Sequence, residues 1–152
     1  MTIGIVDILA PEHCLVDQAI SSKKKLLEFL GDYLGKQLHV GSSDDVYERL
    51  LTRERMGSTG IGEGVAIPHC RLKQCQHAFA VLLTLPEPID FDAIDHRPVD
   101  LVFTLVVPEE ATDEHLQLLA VVASNFSNAE YRQALRNAPN NQQLYQRAIS
   151  QF

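Results

Sequence analysis

Positive charge is in short supply in this 152-residue chain. Thirteen Lys and Arg stand against 20 Asp and Glu, giving a formal net charge of −7. A basic nucleic-acid footprint is therefore excluded, and an anionic membrane surface is disfavoured. Cysteine is also scarce. Cys14, Cys70 and Cys75 make an odd, scattered set that does not form a disulfide framework and points to a reducing, cytoplasmic setting. No apolar run reaches the length of a membrane span, so no membrane insertion is expected. The first ten residues contain Asp7 and no basic segment, unlike a signal peptide. Internal repeats, low-complexity tracts and Pro/Gly/Ser linkers are missing too, so one domain over residues 1–152 is expected. Neither of two well-known glycine motifs occurs. There is no Gly-Lys-Ser/Thr for a Walker loop, and no G-x-G-x-x-G opening a helix for a dinucleotide.

Apolar content is 45% and charged content 22%, usual for a chain that buries an ordinary core. Ser21 to Leu34 reads as a helix, with Leu26, Leu27, Leu30 and Leu34 as its stripe. A second helix starts at Ser42 or Ser43. Asp44, Asp45 and Glu48 suit its N-terminus, Val46, Leu50 and Leu51 face inward, and Arg53 and Arg55 suit its last turn. Gly57 ends it. Strands are expected at about Val65–Ile67, Phe79–Leu85 and Val99–Val107, the last two apolar enough to be covered on both faces. Pro86-Glu87-Pro88 and Asp95-His96-Arg97-Pro98 read as turns. A helix starting near Thr112 is apolar nearly all round. Leu116, Leu119, Ala120 and Ala123 supply one face, Leu118, Val121 and Val122 extend the apolar surface round it, and the pattern predicts burial. Ala129–Asn137 and Asn141–Ser150 read as surface helices. The expected architecture is α/β: a mixed sheet flanked by helices on both faces.

The most informative segment runs from Gly57 to Arg71. Four glycines, Gly57, Gly60, Gly62 and Gly64, fall within eight residues. A backbone this permissive can approach a ligand closely, and successive N–H groups can form an anion nest. Val65-Ala66-Ile67 then leads into Pro68, which delivers His69 at the end of a stiff segment. A neutral imidazole beside a phosphate-holding loop is a candidate nucleophile toward phosphorus. A structural histidine hydrogen-bonded at a strand end is the alternative.

Other candidates surround it. His115 falls three residues after Thr112, at a helix N-terminus, where phosphate is attracted; a surface capping-region histidine is the plainer reading. Arg53 and Arg55 are the nearest cations before the loop. A planar guanidinium suits the oxygens of a phosphoryl group in flight, though helix ends also carry arginines for solvation. His69, Cys70, Cys75 and His77 are all zinc-binding types within nine residues. Their spacing lacks a two-cysteine knuckle, and strand alternation turns His69 and Cys70 to opposite faces. His13, His39 and His96 suggest no role.

These residues resemble a known family. Gly57-Ser-Thr-Gly-Ile-Gly-Glu-Gly-Val-Ala-Ile-Pro-His69 is similar to the active-site signature of enzyme IIA domains of the bacterial phosphotransferase system, mannitol/fructose class. Pro88-Ile-Asp-Phe-Asp-Ala-Ile-Asp-His-Arg-Pro-Val-Asp-Leu101 and Glu114-His-Leu-Gln-Leu-Leu-Ala120 also match, in order, and the resemblance covers nearly the whole chain. The Gly-Ser-Thr-Gly-Ile-Gly form is nearest to the nitrogen-regulatory branch. The resemblance implies that His69 accepts a phosphoryl group from an HPr-type carrier, that His115 assists, and that Arg53, not Arg55, is the active-site arginine. The phosphate-binding groups would be Ser58, Thr59, Gly60 and Gly62. No metal or organic cofactor is implied. The partners would be the carrier and downstream regulatory target proteins. A sugar-specific enzyme IIA serving a separate IIB subunit, and a metal- or anion-binding module without transfer activity, are the alternatives. One departure stands out: Cys70 follows the histidine, where the family commonly has glycine.

Overall fold

The structure is a computed structural model that describes residues 3–37, 39 and 42–150. A short helix α1 (Ile5–Ile8) leads into strand β1 (Leu9–Leu15). Helix α2 (Lys23–Asp32) continues as one wide turn over Tyr33–Gln37, and α3 (Ser43–Arg55) packs against it. Four strands follow: β2 (Gly60–Gly62), β3 (Val65–Ala66), β4 (His69–Leu72) and β5 (Phe79–Ile89). Strand β6 (Val99–Pro108) and helices α4 (Asp113–Phe126), α5 (Ala129–Arg136) and α6 (Asn141–Ile149) complete the chain.

The six strands form one mixed sheet in the order β1-β5-β6-β3-β2, with β4 beyond β3 along the same side of β6. β5 and β6 are antiparallel, whereas β1 runs parallel to β5, and β3 and β4 run parallel to β6. β5 and β6 are buried on both faces. Ala80, Leu82, Leu101, Phe103 and Leu105 face a core closed by Leu118, Val122 and Phe126 of α4, with Tyr131, Leu135 and Leu144 behind them. Val81, Leu83, Val102 and Val106 face the other core, under Leu26, Leu27 and Leu30 of α2 and Val46 and Leu50 of α3. Each such leucine removed from water contributes about 1.5–3 kcal/mol. The mixed sheet with helices on both faces is the architecture the sequence predicts.

The helices begin where their caps direct. Ser22 Oγ accepts from Lys25 N–H, and Ser42 Oγ from Asp45 N–H. Asn128 and Asn140 do the same for α5 and α6.

Four details differ from the sequence reading. α1 and β1 were not anticipated, because four residues and a Leu-Ala-Pro-Glu-His-Cys-Leu segment carry no clear period. β5 does not stop at Leu85 but runs through Pro86 and Pro88, with the register slipping between Thr84 and Ile89. A proline is tolerated where no ladder N–H is required, and such an irregularity supplies the place. The strand begun at Val65 does not end at Ile67. It breaks at Ile67-Pro68 and resumes as β4, with Leu105 N–H donating to Pro68 O across the break. Finally, α4 is not buried all round. Its inward residues are Leu118, Val122 and Phe126, while Leu116 is 47% exposed and Ala120 lies outside. An apolar ring gives no phase, so the pattern could not say which side meets the sheet.

Candidate functional site

The break in the β3–β4 strand positions the first candidate side chain. Cys70 packs into the core under α2 and α3, so alternation turns His69 away from that core, at the sheet margin. Among the described residues β4 pairs with β6 alone. On one side of this margin stands the C-terminal half of α3, and on the other the first turns of α4. Between them lies a cavity of about 610 Å³. One face of α3 lines it with Asp45, Arg49, Arg53 and Met56, and α4 lines it with His115, Leu116 and Leu119. His69, Arg53 and His115 therefore share one hollow; Arg55 is exposed and does not line it.

The neighbours of His69 assign its proton. Nδ1 lies 2.8 Å from Ile67 O, which can only accept, so Nδ1 carries the hydrogen. Nε2 then holds a lone pair, and Arg53 Nε–H donates to it at 3.1 Å. Arg53 is itself fixed by donating from Nη1 to Gly57 O at 2.8 Å, just past the end of α3. Burial pushes the His69 pKa below the ordinary imidazole value. The Ile67 bond and the charge of Glu54 raise it, Arg53 lowers it further, and the balance is downward. The ring is thus kept neutral, as a nucleophile requires.

His115 holds the opposite tautomer. It occupies the third position of α4 and reaches back to the helix cap, where Thr112 N–H donates to its Nδ1 at 3.1 Å. A nitrogen that accepts a backbone N–H carries no hydrogen, so the proton sits on Nε2, free to donate. The cavity thus contains one imidazole with an available lone pair and one with an available N–H.

The glycine loop does something other than line this hollow. Ser58, Thr59, Gly60 and Gly62 are not among the residues that border the cavity. Ser58 Oγ donates to Phe91 O and accepts from Gly60 N–H. Thr59 gives both its N–H and its hydroxyl to the Glu54 carboxylate. A Cβ on Gly60 would sit 2.8 Å from Ala93 Cβ, so that glycine serves a close approach of two backbones. At Gly64, φ is +79°, and Arg136 fills the space a side chain would need while donating to Glu63 O and pairing with Asp100. The loop is a pinned hairpin, and its bare N–H groups are largely engaged within the protein.

Nor do the four zinc-type side chains converge. His69 is bonded as described, Cys70 and Cys75 are in the core, and Cys75 Sγ donates to His77 O. Burial pushes the Cys70 thiol up to about 12 and raises Cys75 as well. Among the described residues no group of three or more His, Cys, Asp or Glu could hold a metal. His13 bonds Tyr33, and His96 sits in a small hollow with Asp90 and Asp92.

Two paired charged residues near the site escaped the sequence reading. Glu54 is buried and forms an ion pair with Lys23 at 3.0 Å, and Lys23 also sits 4.6 Å over the Phe91 ring. A signal for Glu54 existed: it continues the inward stripe Val46, Leu50 of α3, where an apolar residue is expected.

Residues 7–151 match the profile of the family described as "Phosphoenolpyruvate-dependent sugar phosphotransferase system, EIIA 2". The chain belongs to this family. Within it, a nitrogen regulatory protein of Pseudomonas aeruginosa is 45% identical over 144 residues, covering 95% of this chain and 94% of that one. The crystal structure of nitrogen regulatory protein IIA-Ntr from Neisseria meningitidis superposes with a TM-score of 0.87 at 39% identity, over 94% of this chain and 97% of that one. Enzyme IIA-Mtl from Escherichia coli, solved in complex with phosphorylated enzyme IIB-Mtl, shares the fold at 18% identity, with a TM-score of 0.77 over 95% and 100% of the two chains. This EIIA domain thus has the architecture of the IIA-Ntr proteins, and no described helix is long and apolar enough to cross a membrane.

Proposed function

We propose that this EIIA domain is a phosphocarrier of the nitrogen-regulatory kind, accepting a phosphoryl group on His69 Nε2 from an HPr-type phosphohistidine. The observation that carries the reading is the held tautomer: Ile67 O keeps the hydrogen on Nδ1, and Nε2 is left as the lone-pair nitrogen. In transfer, Nε2 forms a bond to phosphorus as the bond to the donor imidazole breaks, and the leaving ring takes that electron pair. The Nδ1 hydrogen stays with Ile67 O throughout. Arg53 releases Nε2 and turns its fork to the phosphoryl oxygens, and His115 Nε2–H donates to one of them. Transfer between two imidazoles is nearly isoenergetic, so alignment and charge are what the protein must supply.

Phosphorylation adds about two negative charges to a hollow rimmed by Arg49, Arg53 and Arg71. The two forms then bind different downstream target proteins, which is the regulatory output. The free thiols of Cys14, Cys70 and Cys75 support a cytoplasmic setting. A second reading, a sugar-specific enzyme IIA that passes phosphate to a separate IIB, draws on the mannitol neighbour in complex with phosphorylated IIB. The nitrogen-regulatory relatives favour the first. Incubation with enzyme I, an HPr-type carrier and phosphoenolpyruvate, read by intact mass, tests the common step. One phosphoryl gain is expected, and none would end both readings.

A further inference from the structure

One hydrogen bond of the His69 imidazole leads back to a buried carboxylate, and the residue that makes the other precedes that carboxylate in the chain. Glu54 has a side chain 3% exposed. Its Oε1 accepts from Thr59 N–H at 3.1 Å and pairs with Lys23 Nζ at 3.0 Å, and its Oε2 accepts from the Thr59 hydroxyl. Thr59 O in turn accepts from Ile67 N–H at 2.9 Å, and Ile67 O accepts from His69 Nδ1–H at 2.8 Å. That is the path to one ring nitrogen. The link to the other is adjacency in the chain. Glu54 follows Arg53 in the last turn of α3, and Arg53 Nε–H donates to His69 Nε2. Lys23 comes from α2 and also lies 3.8 Å from Asp92, so the carboxylate ties α2, α3 and the glycine loop together.

We propose that Glu54, neutralised by Lys23 and clamped by Thr59, is a positioning residue that fixes the tautomer and aim of His69. The proposal rests on His69 being the phosphoryl acceptor. It gives Thr59 a role behind the nucleophile, not on the phosphate. A buried ion pair is an expensive way to stabilise a fold, since apolar residues of like volume do as well or better. Its use here is geometric. A carboxylate bonded through both oxygens, to Thr59 N–H and Lys23 at one and to the Thr59 hydroxyl at the other, holds its donors in one arrangement, and the peptide groups at Thr59 and Ile67 pass that arrangement to the ring. Misplacement by about 1 Å at a reacting nitrogen costs on the order of 10²-fold in rate.

The test uses ¹⁵N NMR of the His69 ring together with single-turnover phosphoryl transfer, on wild type, Thr59→Val, Thr59→Ser and Glu54→Gln. Wild type is expected to show one Nδ1–H tautomer. Thr59→Val, nearly isosteric without the hydroxyl, should mix the tautomers and slow transfer by roughly tenfold or more, the scale of a partial misalignment. Thr59→Ser restores the hydroxyl and should restore both readouts. A folded Thr59→Val that keeps the single tautomer overturns the proposal, whatever its rate: a normal rate means a structural role, and a slow rate means direct phosphate contact. Should Thr59→Val not fold, Glu54→Gln decides by the same readouts, because it keeps shape and one acceptor while losing the charge. The ring tautomer is read without phosphorylation. If wild type accepts no phosphate, the acceptor reading fails, and the tautomer still decides the role of Glu54.

Discussion

The two walls of the cavity are built on different principles. On the α3 wall the polar groups are tied across the fold. Arg53 bonds His69 sixteen residues away, Glu54 bonds Thr59 and Lys23, and the loop is pinned by Arg136 and Asp100. On the α4 wall, among the described residues, His115 is tied only to its own helix cap, and the side chains beside it, Leu116 and Leu119, are left partly open. One wall fixes His69, the proposed nucleophile, by tertiary contacts. The other presents an N–H donor by local helix geometry and leaves apolar surface exposed. The difference means that substitutions on the two walls should separate stability from rate.

The largest expected effect is at the nucleophile. His69→Ala should fold and gain no phosphoryl group, read by intact mass after incubation with the carrier system. Undiminished acid-labile phosphate in that variant would place the acceptor elsewhere and dissolve the contrast between the walls. Next comes His115→Ala. The nucleophile and its tautomer remain, so the protein should still be phosphorylated. Forward and reverse rates should both fall about 10²-fold, the scale of one positioned hydrogen-bond donor. Because His115 makes no hydrogen bond to another element among the described residues, the melting temperature should move little. A large drop in melting temperature with normal rates would show that the α4 wall is as structural as its opposite.

Arg53→Lys tests the α3 wall with a smaller expected effect. The charge stays, but a single ammonium cannot bond His69 Nε2 and Gly57 O as the guanidinium does from Nε and Nη1. Transfer should slow by roughly tenfold, about 1.4 kcal/mol in barrier terms. Here the melting temperature should fall measurably as well, since the Gly57 tie at the end of α3 is weakened. Equal rates in the two proteins would point to Arg49, one turn earlier on the same face, as the phosphoryl clamp.

How far the sequence reached follows the same division. Elements with a strong period were legible: α2 and α3 from their leucine and valine stripes, β5 and β6 from runs buried on both faces. β4 was missed because His-Cys-Arg-Leu has no pattern and Pro68 reads as a stop. Nothing local says that the strand resumes in the same register along β6. At the site, His69, His115 and Arg53 could each be named, but their meeting in one hollow depends on α3 and α4 flanking the margin of β4. Spacing alone cannot reveal that. The glycine loop misled most. Four glycines suggested an anion nest, and the structure uses Gly60 for a backbone approach to Ala93 and Gly64 to admit Arg136. Both uses depend on residues 33 and 72 positions away, beyond any local motif. Glu54 was the one long-range feature with a local trace, a charge on an apolar stripe.

The smallest effect expected is the pH dependence that His69 contributes to stability. Its folded pKa lies below the ordinary value near 6.5, chiefly through burial. Well above pH ~6.5 neither the native nor the unfolded ring is protonated, and the shift contributes nothing. As pH falls below that, the unfolded ring takes up a proton that the native ring resists. The unfolded state then binds more protons, and stability declines until the native pKa is reached. His69→Ala removes this term, so the difference in unfolding free energy between wild type and variant should shrink, to the variant's benefit, as pH drops from 7 toward 5. Denaturant melts of both proteins across that range measure it. A constant difference would mean that the ring titrates normally in the native state, and that the α3 wall does not desolvate its nucleophile as the geometry requires.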